Sequence, residues 1–144
     1  MKNTINKYVE VKVKLQKTME DGQQKKVSEQ YVVEAATFGE AERRIAECLK
    51  PYIECEFEVT DIKIAGYGQI INDNQDADKF FKAKVSFITL DETTGKEKKT
   101  SELYLVQSDT LESAESDVKS FLNDNNTTIS SISETAILDV FPLD

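Results

Sequence analysis

Histidine and tryptophan are absent from the 144 residues, and cysteine and proline occur only twice each. Without histidine there is no Ser-His-Asp or Cys-His nucleophile and no His-containing zinc site. Cys48 and Cys55 cannot make a four-thiolate site, and each sits among apolar neighbours. The expectation is therefore buried thiols rather than a disulfide. Arg43 and Arg44 are the only arginines, which excludes an arginine-rich recognition helix for reading duplex DNA. Gly66 and Gly68 are too few for a phosphate-cradling loop and read as turn chemistry. No apolar run approaches the ~20 residues that span a bilayer. Met1-Lys2-Asn3-Thr4 leads into an alternating strand pattern rather than a hydrophobic signal segment, so the expectation is a cytoplasmic protein with no membrane partner.

What the chain does have is a statement made twice. A shift of 73 positions lays Gly22–Glu42 on Gly95–Glu115, with identities at Gly22/Gly95, Lys25/Lys98, Lys26/Lys99, Ser28/Ser101, Glu29/Glu102, Tyr31/Tyr104, Val33/Val106, Thr37/Thr110, Ala41/Ala114 and Glu42/Glu115. Such a repeat predicts two similar folding units, 1–72 and 73–144, packed with pseudo-two-fold symmetry as one compact body. At 39% hydrophobic residues the chain can bury a core and is not a disordered tail. The formal net charge of −9 argues against polyanions, but its distribution follows the repeat. Residues 1–33 and 79–106 are net basic, whereas 34–78 and 107–144 are strongly acidic.

Local patterns fill in each repeat. Val9, Val11, Val13 and Leu15 alternate with polar residues, the period of a half-buried strand. A turn at Met19-Glu20-Asp21-Gly22 and a return strand over 25–35 complete a hairpin. Thr37-Phe38-Gly39-Glu40 matches a capping box, and Ala41, Ile45, Cys48 and Leu49 form one helical stripe that Pro51 stops. Phe57, Val59, Ile62 and Ile64 make a closing strand, and the three-residue step from Val59 to Ile62 predicts a bulge. Repeat two replays this with Phe81, Ala83, Val85 and Phe87, a turn at Glu92-Thr93-Thr94-Gly95 and a return strand over 98–107. A weaker cap at Thr110 then leads to a stripe of Ala114, Val118, Phe121 and Leu122. Ile129, Ile132, Ile137 and Val140 are assigned to one last strand. The polar stretch from Gly66-Tyr67-Gly68 to Asn72–Asp78 reads as an exposed linker or long hairpin loop.

Three segments carry a resemblance: Lys25-Lys26-Val27-Ser28-Glu29-Gln30-Tyr31-Val32-Val33, Lys84-Val85-Ser86-Phe87-Ile88-Thr89-Leu90-Asp91 and Glu134-Thr135-Ala136-Ile137-Leu138-Asp139-Val140-Phe141-Pro142. The chain resembles, over nearly its whole length, an uncharacterised domain-of-unknown-function family of Bacteroides-type bacteria and their phages. The resemblance implies a small cytoplasmic accessory protein in a phage or mobile-element setting. It brings no catalytic or binding residues with it.

The candidate functional residues are the hairpin lysines. Lys12, Lys14, Lys17, Lys25 and Lys26 recur as Lys82, Lys84, Lys96, Lys98 and Lys99, so ten of the eighteen basic residues sit on two hairpins. Flexible lysines suit sequence-independent phosphate contacts driven by counterion release. Tyr31, Tyr104, Phe80 and Phe81 would add stacking platforms for unpaired bases. The competing reading is that these lysines solubilise strand edges while Tyr31 and Tyr104 pack in the core. Asn74, Asp76 and Asp78 alternate as in a calcium loop, but Lys79 and Val85 stand where such a loop needs glycine and glutamate, so no metal is expected. Asp91 and Glu92 fall in a turn rather than a desolvated cleft, and neither catalysis nor a cofactor is expected. The acidic-apolar end at Asp139–Pro142 reads as a strand end rather than a partner-recruiting tail.

The expectation is thus an α+β protein of two tandem β-β-α-β repeats, each an antiparallel sheet with one helix. Its expected role is non-enzymatic binding of single-stranded nucleic acid along the lysine-bearing hairpins. The alternative is a protein-interaction or nucleotide-sequestering module that uses the acidic faces or the cleft between repeats. Edge strands could pair either within the chain or with a second copy, and only the second would make an oligomer.

Overall fold

The computed structural model describes residues 7–52, 56–122 and 127–142. It is mostly β-sheet with two helices, an α+β arrangement. The elements are β1 (Lys7–Thr18), β2 (Gln24–Ala35), α1 (Phe38–Leu49), β3 (Phe57–Ile64), β4 (Tyr67–Ile71), β5 (Lys79–Leu90), β6 (Glu97–Ser108), α2 (Leu111–Leu122), β7 (Thr127–Glu134) and β8 (Ile137–Phe141). The order and lengths of the first five recur in the last five.

Two four-stranded sheets form, in the orders β3-β1-β2-β8 and β4-β6-β5-β7. β3 and β4 are separated by Ala65 and Gly66 alone, yet they enter different sheets, and so do β7 and β8. The compact units are accordingly residues 1–66 with 136–144, and residues 67–135. Three expectations change here. The stretch read as a linker contains β4, whose Tyr67 and Ile71 are buried because the strand pairs with β6. The single last strand is two strands, β7 and β8. The sheets are not wholly antiparallel, since β8 runs parallel to β2 and β4 parallel to β6.

Other local readings hold. Gly22 has φ 85° and donates to the Met19 carbonyl at 2.9 Å. Gly95 has φ 72° and donates to the Asp91 carbonyl at 2.7 Å, a turn one residue longer. A left-handed backbone is cheap only for residues lacking Cβ, which is why glycine occupies both tips. Thr37 caps α1, its Oγ1 accepting from Glu40 N at 3.1 Å, while Glu40 Oε2 accepts from Ala36 N at 3.2 Å. Thr110 caps α2 by accepting from Ser113 N at 3.1 Å. The bulge falls at Thr60, between the pairs Lys12–Asp61 and Val13–Val59, and the Thr60 hydroxyl donates to the Lys12 carbonyl at 3.2 Å. Ser130 is the matching bulge in the second unit.

Each helix covers one face of its sheet. In the first unit Ala41, Ile45 and Leu49 pack on Val9, Val11, Val13, Leu15, Tyr31 and Val33. In the second, Ala114 and Val118 pack on Phe81, Ala83, Val85, Tyr104 and Val106. Burying aliphatic side chains at ~1.5–3 kcal/mol each is what offsets the entropy of ordering such small units.

Candidate nucleic-acid interface

Strand alternation decides where the lysines point. Residues in register with Val9–Leu15 lie on the helix-covered face, and their neighbours lie on the opposite, outer face, which is itself covered at Val32, Phe80 and Leu105. Lys12, Lys14 and Lys26 therefore stand on the outer face of the first sheet, while Lys25 stands on the helix side, opposite Lys17. Lys82, Lys84 and Lys99 share the outer face of the second sheet; Lys98 lies on the helix side opposite Thr89. Lys96 ends the turn, its N–H donating to Thr94 Oγ1 at 3.3 Å. All nine of these candidate lysines are exposed. Within each hairpin they divide between two faces, so no single ridge takes them all.

The aromatic expectations fail. Tyr31 is 8% exposed and Tyr104 4%, and both belong to the cores. Tyr31 stacks on Phe141 with centroids 5.8 Å apart, and its hydroxyl donates to Glu29 at 3.0 Å. Tyr104 meets Phe121 edge-on at 5.6 Å. Phe80 and Phe81 are equally buried. None of the four offers a ring to an unpaired base. Burial, with the Glu29 contact second, pushes the Tyr31 phenol far above its ordinary range. Burial followed by the Glu102 charge raises Tyr104 as well.

Sequence reasoning missed the difference between the two outer faces. On the first sheet Lys12 lies opposite Asp61 and Lys14 opposite Glu58. Glu10 Oε2 pairs with Lys63 Nζ at 3.5 Å, and Glu56 and Glu58 line a hollow of about 270 Å³ together with Lys14 and Lys26. That face is charge-balanced. On the second sheet Lys82 lies opposite Ser133 and Lys84 opposite Ser131. Their partners on β6 are the fully buried Leu105 and the half-buried Leu103. Ser101 and Thr128 continue the row at the surface, while Ser86 between them is buried and its Oγ shares a hydrogen bond with Ser130 Oγ. Among the described residues no acid stands opposite either lysine. The signal was present in sequence: Glu58, Asp61 and Lys63 of β3 give way to Thr128, Ser131 and Ser133 in β7.

The hairpin tips differ too. β7 pairs with β5 only as far as Phe87, and β4 pairs with β6 only from Leu103. Beyond these points, among the described residues, 88–99 form a two-stranded arm. Its turn is braced by Asp91 Oδ1, which accepts from Thr93 N at 2.9 Å and from Thr94 N at 3.4 Å. The Thr93 N–H above all holds that carboxyl below its usual range.

Elsewhere, Cys48 is a half-buried thiol on α1, and Cys55 lies outside the described residues. Among the described residues no group of three or more acidic or cysteine side chains is placed to hold a metal ion. No described helix is long and apolar enough to cross a membrane.

Fold and site define a two-sheet α+β protein with one basic, hydroxyl-rich sheet face. The chain belongs to the family described as "Domain of unknown function (DUF4494)", whose model matches residues 7–143. No curated protein and no solved structure matches it.

Proposed function

We propose that the protein is a non-enzymatic, sequence-independent binder of single-stranded nucleic acid, working through the outer face of β5, β6 and β7. Its two units are read as copies of one duplicated motif, of which the second has kept or gained the contact. The observation that carries this reading is the serine row opposite Lys82 and Lys84. Lysines facing hydroxyls keep their charge for an outside phosphate, and hydroxyls add donors to phosphate oxygens without repelling them. Lysines with carboxylates across the ladder, as on the first sheet, sit in a field that those acids partly cancel, although no ion pair joins them. Lys99 extends the basic row toward the arm. The acidic remainder of the chain keeps bulk polyanion away from other surfaces, so binding is local to this face.

The test is anisotropy of a labelled oligonucleotide titrated across salt. Wild type should bind saturably, with log K falling against log salt at a slope of about −2 for three phosphate contacts. Lys82→Ala/Lys84→Ala/Lys99→Ala should remove most of the affinity and the slope. Lys12→Ala/Lys14→Ala/Lys26→Ala should leave both near wild type. Equal losses from the two triple variants, or no wild-type binding at low salt, would end this reading.

A further inference from the structure

The second arm carries something the first does not. Ile88 is 50% exposed and Leu90 65%, both on the outer face, continuing the line of Lys82, Lys84 and Ser86. At the matching places of the first arm stand Gln16 and Thr18, opposite Lys26 and Gln24. Ile88 lies opposite Lys99 and Leu90 opposite Glu97. Exposed aliphatic pairs on a lysine-bearing ribbon are costly to solubility unless something covers them.

We infer that Ile88 and Leu90 are the base-contacting residues of this face, taking the apolar role that the buried Tyr31 and Tyr104 cannot. The inference rests on the reading of the sheet as a single-strand binder. The occupant follows from charge and chemistry together: the same face offers lysine and hydroxyl to phosphates at its root and bare aliphatic surface at its tip. A single-stranded polynucleotide presents both partners, a polyanionic backbone and unstacked base faces. Apolar side chains that meet base faces do not read sequence, which agrees with the described residues of β5, β6 and β7: they include no arginine, and their one side-chain amide, Gln107, donates to the carbonyls of Gln75 and Ala77. From Lys82 to Leu90 the strand runs roughly 26 Å, at about 3.3 Å per residue. That length suits a strand of about four nucleotides or more, the low end of single-strand site sizes.

The experiment compares two labelled 12-mers of equal charge, oligo-dT and an abasic chain, on three proteins. Wild type should prefer oligo-dT by about tenfold, the effect expected of covering two half-exposed aliphatics. Ile88→Ser/Leu90→Ser should abolish that preference while keeping the salt slope. Lys82→Ala/Lys84→Ala should weaken both ligands alike and flatten the slope. Circular dichroism and velocity sedimentation on each variant report its fold and association state. If wild type binds both 12-mers equally, or the aliphatic variant keeps the preference, the base contact is elsewhere and the inference falls while the lysine reading stands. If the aliphatic variant only converts a dimer to a monomer, a second copy covers the arm and the inference also falls. Failure of wild type to bind either chain ends both readings at once.

Discussion

Phe141, from the last strand, stacks on Tyr31 of β2 with ring centroids 5.8 Å apart and planes inclined by 24°. Arg44 of α1 donates to the carbonyls of Phe141 at 3.4 Å and Pro142 at 3.1 Å, holding β8 in place. Phe141→Ala should therefore destabilise the first unit by about 2 kcal/mol, less than a fully buried phenylalanine because the ring is half-exposed. Phe141→Leu should cost under half as much. Urea unfolding followed by tyrosine fluorescence reads both; an alanine variant within ~0.5 kcal/mol of wild type would show that β8 adds little.

Ser108 is fully buried and its hydroxyl has no hydrogen-bond partner, whereas the matching residue of the first unit is the equally buried Ala35. An unsatisfied hydroxyl costs about 1–3 kcal/mol relative to an apolar group of similar size. Ser108→Ala should raise stability by about 1 kcal/mol, seen as a higher urea midpoint with unchanged slope.

Tyr31 gives a pH signature. Its phenol is held far above the ordinary value of 10.0, so the native chain keeps the proton when the unfolded chain releases it. The unfolded state then binds fewer protons above pH 10, and stability falls as pH rises, by up to about 1.4 kcal/mol per unit. Below pH 10 the contribution is complete. Tyr31→Phe loses the hydroxyl contact with Glu29, so it should be less stable at pH 8, yet its alkaline decline should be shallower. Parallel curves for the two proteins from pH 8.5 to 11 would mean that Tyr31 titrates like an exposed tyrosine.

The two outer faces can be interchanged. Ser131→Glu/Ser133→Asp gives β7 acids opposite Lys84 and Lys82, as Glu58 and Asp61 oppose Lys14 and Lys12. Oligonucleotide affinity at low salt should drop about tenfold with the fold intact. The reciprocal Glu58→Ser/Asp61→Ser should create weak binding on a Lys82→Ala/Lys84→Ala background. An unchanged affinity in the first variant would show that the serine row is irrelevant.

Much of the local structure was legible because local chemistry determines it. The alternation of Val9–Leu15, the Thr37 cap, the stripe of Ala41, Ile45 and Leu49, and the Val59–Ile62 step each depend on residues within a turn or two. β4 and β8 escaped for a physical reason. Each has five residues, and each register slips once, at Gly68 and at Leu138, so neither alternates cleanly. Their partners β6 and β2 lie far along the chain, where no local pattern points. The lysines were found, but their partners were not. Charge counted by segment could not reveal that Lys14 faces Glu58 across a strand while Lys84 faces Ser131.

The membership of β8 in the first sheet has a consequence for synthesis. As the chain leaves the ribosome, β1, β2, α1 and β3 emerge early, but the edge of β2 from Gln30 to Val33 stays open until residues 137–141 follow. The second sheet has all its strands in one continuous stretch, 67–134, and is complete first. The half of the protein that is translated first is thus the last to be finished. Throughout that interval its waiting edge is the place where a nascent chain can pair with the wrong neighbour.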